Sequence, residues 1–236
     1  MSRDTIHIGD TPCRTDPRHP SIGFEDRGGE TWVVLDHVDA MPPFFMSIVG
    51  ACDVWLFAGS NGAFTAGRVE PDRAIFPYQT ADKIIRDDGA SGALTVILAK
   101  RAGRLSLWEP WRGDGMPYRT KRRLMKHILG AGVLFEETNE DLGLRFSWEL
   151  ATCEQYGLVR RCALQNLSTE PVFVRCVDGF RHMIAPGVTQ ETYARLSYLA
   201  AGYMRHERVP AGPSALGVYT LNAAIADRAE PVESLR

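Results

Sequence analysis

The chain has 236 residues, with 27 Lys or Arg against 29 Asp or Glu, a formal net charge of −2. At 44% hydrophobic and 24% charged residues it is a globular chain long enough for one large core, which excludes a disordered protein and gives no bulk positive charge for nucleic acid. No run approaches the ~18 apolar residues of a membrane span, and Met1–His7 lacks the apolar core of a secretory signal, so the expectation is a cytoplasmic protein.

Residues 1–30, with Pro12, Pro17, Pro20 and the pair Gly28-Gly29, read as an irregular N-terminal arm holding one short strand, Thr5–Ile8. From Thr31 the texture becomes β-branched and aromatic, as strands are. Thr31–Leu35, Phe44–Val49 and Val54–Ala58 follow one another as short strands. Ser60-Asn61-Gly62 supplies a tight turn, because Asn and Gly tolerate the positive φ of hairpin loops, and Ala63–Arg68 returns. Thr80–Ile85 reads as one helical turn, residues 87–92 as loop, and Leu94–Lys100 and Arg104–Trp108 as strands.

The clearest signal lies between Lys121 and Asp178. Leu144, Phe146, Trp148 and Leu150 alternate with Arg145, Ser147 and Glu149, the period of a strand with one face in a core. Leu158–Gln165 and Pro171–Val177 form a hairpin across residues 166–170, with Val172, Val174 and Cys176 on one face. Leu196, Leu199 and Tyr203 stand at helical offsets within residues 189–208, where a helix and a bent strand connection both remain open. Leu216–Leu221 is a strand, and residues 227–236 are polar without a closing element. About a dozen short strands and little helix give an all-β fold, an antiparallel two-sheet supersandwich with few short helices, over residues 31–236.

The candidate chemistry is sparse. Arg119–His127 is the one basic cluster, and it reads as a solvated strand face with Glu136, Glu137, Glu140 and Asp141 as cross-strand partners. Glu136 and Glu137 are adjacent, so in a strand they point to opposite faces and cannot flank one glycosidic bond. The six histidines are scattered and the five cysteines lack C-x-x-C spacing, which implies reduced thiols, no metal and no cofactor. Cys162 and Cys176 read as small apolar filler. Trp108, Trp111 and Arg112 form the first candidate site: indole faces cover sugar rings and charged groups bind hydroxyls, while the plainer reading has the rings close the end of the sandwich. Tyr78, Asp82 and Lys83 form the second, as a groove or as local turn structure. Asn166-Leu167-Ser168 reads as a turn whose side chains bond to the backbone, and His182 as structural.

Several stretches resemble a family of large bacterial cellobiose-phosphorylase-like or glycoside-hydrolase-like proteins. They are Met41–Ser47, Ser60–Arg68, Ile75–Ile84, Phe135–Leu144, Tyr156–Arg160 with Asn166, Val177–Phe180 and Asp227–Pro231, spread over roughly residues 30–236. The resemblance implies an N-terminal β-supersandwich that packs on an (α/α)6 barrel, the barrel carrying the catalytic carboxylates. No helical-hairpin array follows in this chain, so it reads as a fragment, a split product or a truncated relative. No catalytic residue carries over. The expected partners are a carbohydrate and either a helical-barrel catalytic domain or a second copy. A free-standing carbohydrate-binding module and a mutarotase-like sugar epimerase are the alternatives. The epimerase would need His127 or His182 beside a Glu or Asp in a cleft.

Overall fold

The structure, a computed structural model, describes residues 6–8, 11–13, 18–86, 92–112, 117–185 and 188–221. Its strands are β1 (Ile6–Ile8), β2 (Thr11–Cys13), β3 (Ser21–Arg27), β4 (Glu30–Asp36), β5 (Phe45–Ile48), β6 (Val54–Gly59), β7 (Phe64–Arg68) and β8 (Gly92–Arg101). They continue as β9 (Arg104–Trp108), β10 (Thr120–His127), β11 (Gly132–Asn139), β12 (Leu144–Cys153), β13 (Gly157–Asn166), β14 (Phe173–Arg181), β15 (Met204–Ala211) and β16 (Ser214–Leu221). The α-helices are α1 (Ala81–Ile84) and α2 (Gln190–Tyr203).

Every strand pairing is antiparallel. One layer is a six-stranded sheet in the order β13-β12-β11-β10-β4-β3. Two three-stranded sheets, β5-β6-β7 and β14-β8-β9, make the other. A single core joins them: Ile48, Leu56 and Phe64 from one small sheet, Ile97 and Trp108 from the other, and Leu124, Val133, Phe135 and Trp148 from the large one. The molecule is therefore an all-β antiparallel sandwich, as its alternating sequence dictates. In β12, Leu144, Phe146, Trp148 and Leu150 are all buried, and Arg145, Ser147 and Glu149 are not.

The basic stretch lies on β10 and finds its partners across the ladder. Arg119 meets Asp141 at 2.7 Å, Lys121 meets Glu140 at 2.5 Å, Arg122 meets Glu137 at 2.7 Å, and Arg123 meets Glu136 at 3.6 Å. The Lys121 hydrogen bond holds the Glu140 carboxyl below its ordinary range.

Two local expectations change, and one left open is decided. Residues 1–30 are not an arm throughout, because Ser21–Arg27 is the edge strand of the large sheet, joined to β4 by Gly28 (φ 65°) and Gly29 (φ 86°). That two-residue loop with positive φ twice is the turn whose twist matches paired strands. The expected hairpin of residues 158–165 with 171–177 does not form. β13 pairs with β12, whereas β14 crosses to the other layer and pairs with β8. The intervening loop is closed on itself, with Asn166 Nδ2 donating to the Glu170 carbonyl at 2.8 Å and Ser168 Oγ bonded to Asn166 Oδ1 at 2.9 Å. The region after residue 189 is a helix, capped by Thr189 accepting from the Thr192 N–H and kinked at Leu196. Residues 87–91 and 222–236, which include the expected loop and the polar end, lie outside the described residues.

β13 and β14 are both edge strands, facing each other across the sandwich, where Arg160 meets Asp178 at 2.6 Å. Cys162 and Cys176 stand on those edges and are exposed in part, so they are not core filler. Their thiols nonetheless lie against protein: burial pushes Cys176 up and Cys162 up to about 12, with nearby Arg160 pulling both down less strongly. Both thiols thus stay protonated when folded. Their contribution to stability is whole below the ordinary value of 9.0 and is lost as pH climbs above it, for Cys162 through about 12. Iodoacetamide at about pH 8 should label Cys162 and Cys176 several-fold more slowly in the folded chain than in urea, since the thiolate is the nucleophile. Peptide mapping reads the rates, and equal labelling in both states would refute the shift.

Candidate functional site

The Trp-rich corner is built by strand parity. Val133 and Phe135 face the core from β11, so Glu137, two residues on, faces it too, and Arg122 stands directly opposite on β10. Glu136 points to the other face, toward Arg123 and Arg145. Glu137 is 2% exposed. Its Oε1 accepts from the Trp108 indole at 2.8 Å. Its Oε2 accepts from the Trp111 backbone N–H at 2.9 Å and from Arg122 Nε at 2.7 Å. A carboxylate with both oxygens engaged by three donors is a fastener and not a free acid or base.

Pro110 ends β9, and the chain turns back at Trp111, whose φ of 63° is rare for a bulky residue. Several contacts hold it there. Its indole donates to the Ser60 carbonyl at 3.3 Å and stands edge-on to Phe135, with centroids 5.2 Å apart. The Arg122 guanidinium lies 5.4 Å from its ring centroid. Gly62 (φ 89°) lets the ring approach: a Cβ there would sit 2.5 Å from Trp111 Cδ1. Beside the ring is a cavity of about 140 Å³ lined in part by Asp39, Ser60, Asn61, Trp111 and Arg122.

Trp108 is 0% exposed and Trp111 8% exposed, so neither offers a ring face to solvent, and both rings close the end of the core. Arg112 is the exposed member, paired with Glu109 at 2.9 Å. The second candidate group is not part of this cavity. Tyr78 stands edge-on to Trp55 at 5.6 Å, and its backbone N–H donates to Gln190 Oε1 at 3.1 Å. Asp82 accepts from the Thr80 hydroxyl at 2.6 Å, which holds its carboxyl below the ordinary range. Lys83 is exposed on α1 and forms no ion pair among the described residues.

A larger cavity, about 440 Å³, lies where the end of β14 meets α2 and the β15–β16 hairpin. Arg181, His182, Tyr193, His206 and Glu207 reach it, between walls that include Phe180, Met183, Met204 and Val218. His182 and Glu207 both line it, and Glu207 is paired with Arg205. His127 instead stands 3.7 Å from the exposed Glu30 and edge-on to Trp32, on the outer face of the large sheet. Sequence reasoning missed Glu137 as a hub and Arg181 as a cavity residue. The register of β10 with β11 carries the first signal; nothing local carries the second.

Among the described residues no group of three or more His, Cys, Asp or Glu could hold a metal ion, and no helix is long and apolar enough to cross a membrane. No protein-family model matches the chain, and no curated protein matches it.

Proposed function

We propose that this chain is a non-catalytic sandwich domain of a carbohydrate-active enzyme of the glycoside phosphorylase or hydrolase type, docking on a helical-barrel catalytic domain. One observation supports the docking. The outer face of the β14-β8-β9 sheet is apolar apart from Lys100 and Arg175: register places Phe173 beside Lys100 and Leu105, Leu98 beside Arg175 and Leu107, and Val177 beside Val96. Phe173, Val177 and Leu105 are 59–67% exposed. Val96–Ala99 is apolar on both strand faces, the pattern of a strand covered on both sides. The sequence resemblance supports the sugar class and the kind of partner. Arg112 and the rim of the small cavity beside Trp111 are the proposed sugar contact, with Tyr78, Asp82 and Lys83 as an outlying one.

The isolated chain should bind ANS, a dye for exposed apolar surface, and should release no sugar phosphate from cellobiose and phosphate. Leu105→Asp with Val177→Lys should lower dye binding roughly threefold while changing stability by less than about 1 kcal/mol. Turnover by the chain alone would overturn the non-catalytic reading. Unchanged dye binding would overturn the docking face.

A further inference from the structure

We infer that the cavity between β14, α2 and the β15–β16 hairpin is a binding site for a small organic anion with an apolar body, a carboxylate of roughly the size of phenylpropanoate. This inference does not rest on the function proposed above.

The argument starts from Arg181. A guanidinium is charged at every accessible pH and carries five donors. Among the described residues the Arg181 side chain forms no hydrogen bond and no ion pair. The guanidinium thus brings to the cavity wall a positive charge without a counter-charge, which a carboxylate in the cavity would supply. The other charged group at the cavity is already neutralised, because Glu207 is paired with Arg205 at 2.9 Å. His182 and His206 add imidazoles, so the field facing the space is neutral to positive.

The walls set the rest of the ligand. Phe180, Met183, Met204 and Val218 present carbon and thioether surface, which suits an aromatic or aliphatic body and leaves sugar hydroxyls without partners. A volume of about 440 Å³ falls at the lower end of small-molecule sites, ~300–1,000 Å³. His182 sits in the left-handed region (φ 57°) where β14 ends, a strained position of the kind that gathers at ligand sites.

The test compares 3-phenylpropanoate with its neutral amide, 3-phenylpropanamide, by titration calorimetry on the full chain. The carboxylate should bind at least about tenfold more tightly than the amide, the effect of one charge-assisted contact. Arg181→Met should abolish that preference while the amide binds as before. Met204→Trp, which fills the space and leaves Arg181 in place, should remove both ligands. Equal affinity for acid and amide, or no binding of either by the unmodified chain, would overturn the inference. Should Arg181→Met fail to fold, the acid–amide comparison and Met204→Trp decide it alone; binding that survives Met204→Trp places the ligand elsewhere and overturns it too.

Discussion

Replacing Glu137 by Ala costs about 3–5 kcal/mol of folding stability, the loss expected when one partner of a buried ion pair is removed. Three donors lose their acceptor together: the Trp108 indole, the Trp111 backbone N–H and the Arg122 guanidinium. The guanidinium keeps the Arg112 carbonyl at 2.5 Å but loses its counter-charge. Glu137→Gln falls between, at about 1–3 kcal/mol, because one amide oxygen cannot serve all three donors and the amide N–H₂ opposes one of them. Glu137→Leu combined with Arg122→Met should recover part of the loss, since an apolar pair of similar volume avoids both desolvation costs. Urea unfolding with an unchanged m-value reads all three variants. A loss below about 1 kcal/mol for Glu137→Ala would refute the hub.

Phe135→Ala should cost about 3–5 kcal/mol, the range for deleting a buried aromatic ring. Phe135 is 0% exposed and stacks on Trp148 with centroids 4.0 Å apart and planes 12° from parallel. Its other side supports Trp111, so the empty space opens next to the strained turn. The variant should therefore lose stability and also shift tryptophan emission to the red, as Trp111 and Trp148 gain access to water. Phe135→Leu fills most of the volume and should cost less than half as much. Loss of stability without a spectral change would mean that Glu137, the Ser60 carbonyl and Arg122 hold Trp111 without Phe135.

What was legible in the sequence was whatever rests on neighbours in the chain. The alternation of β12 named its buried face residue by residue. The charges of β10 and β11 named their own partners, because successive strands of a meander meet in register. The Asn61-Gly62 turn and the closed loop at Asn166 are local hydrogen-bond chemistry. The rest depends on distance. The loop between β13 and β14 is short enough for a hairpin and equally for a corner, and the choice is made by β8, far earlier in the chain. β3 was hidden by the prolines before it, although Ile22 and Phe24 alternate and Gly28-Gly29 turns them onto β4. For Trp111 both a sugar contact and a ring closing the sandwich stayed open, because nothing near it in sequence says that a buried carboxylate on β11 would take its backbone N–H. Arg181 reaches its cavity only after α2 and the last hairpin fold over it.

The separation of β8 from β14 also shapes how the chain folds. β10 to β13 form a meander in which each strand pairs with the next, so these contacts close short loops and form early. The β8–β14 ladder must wait until that meander has been made, and it carries the entropy of closing a long loop. Until then Ala93–Ala99 has β9 on one edge only, with Thr95 as its one polar side chain and neither charge nor proline within it. Such a segment resembles those that stack into cross-β fibrils. Lys100, Arg101 and Arg104 follow immediately, and their repulsion between copies guards the strand during that interval.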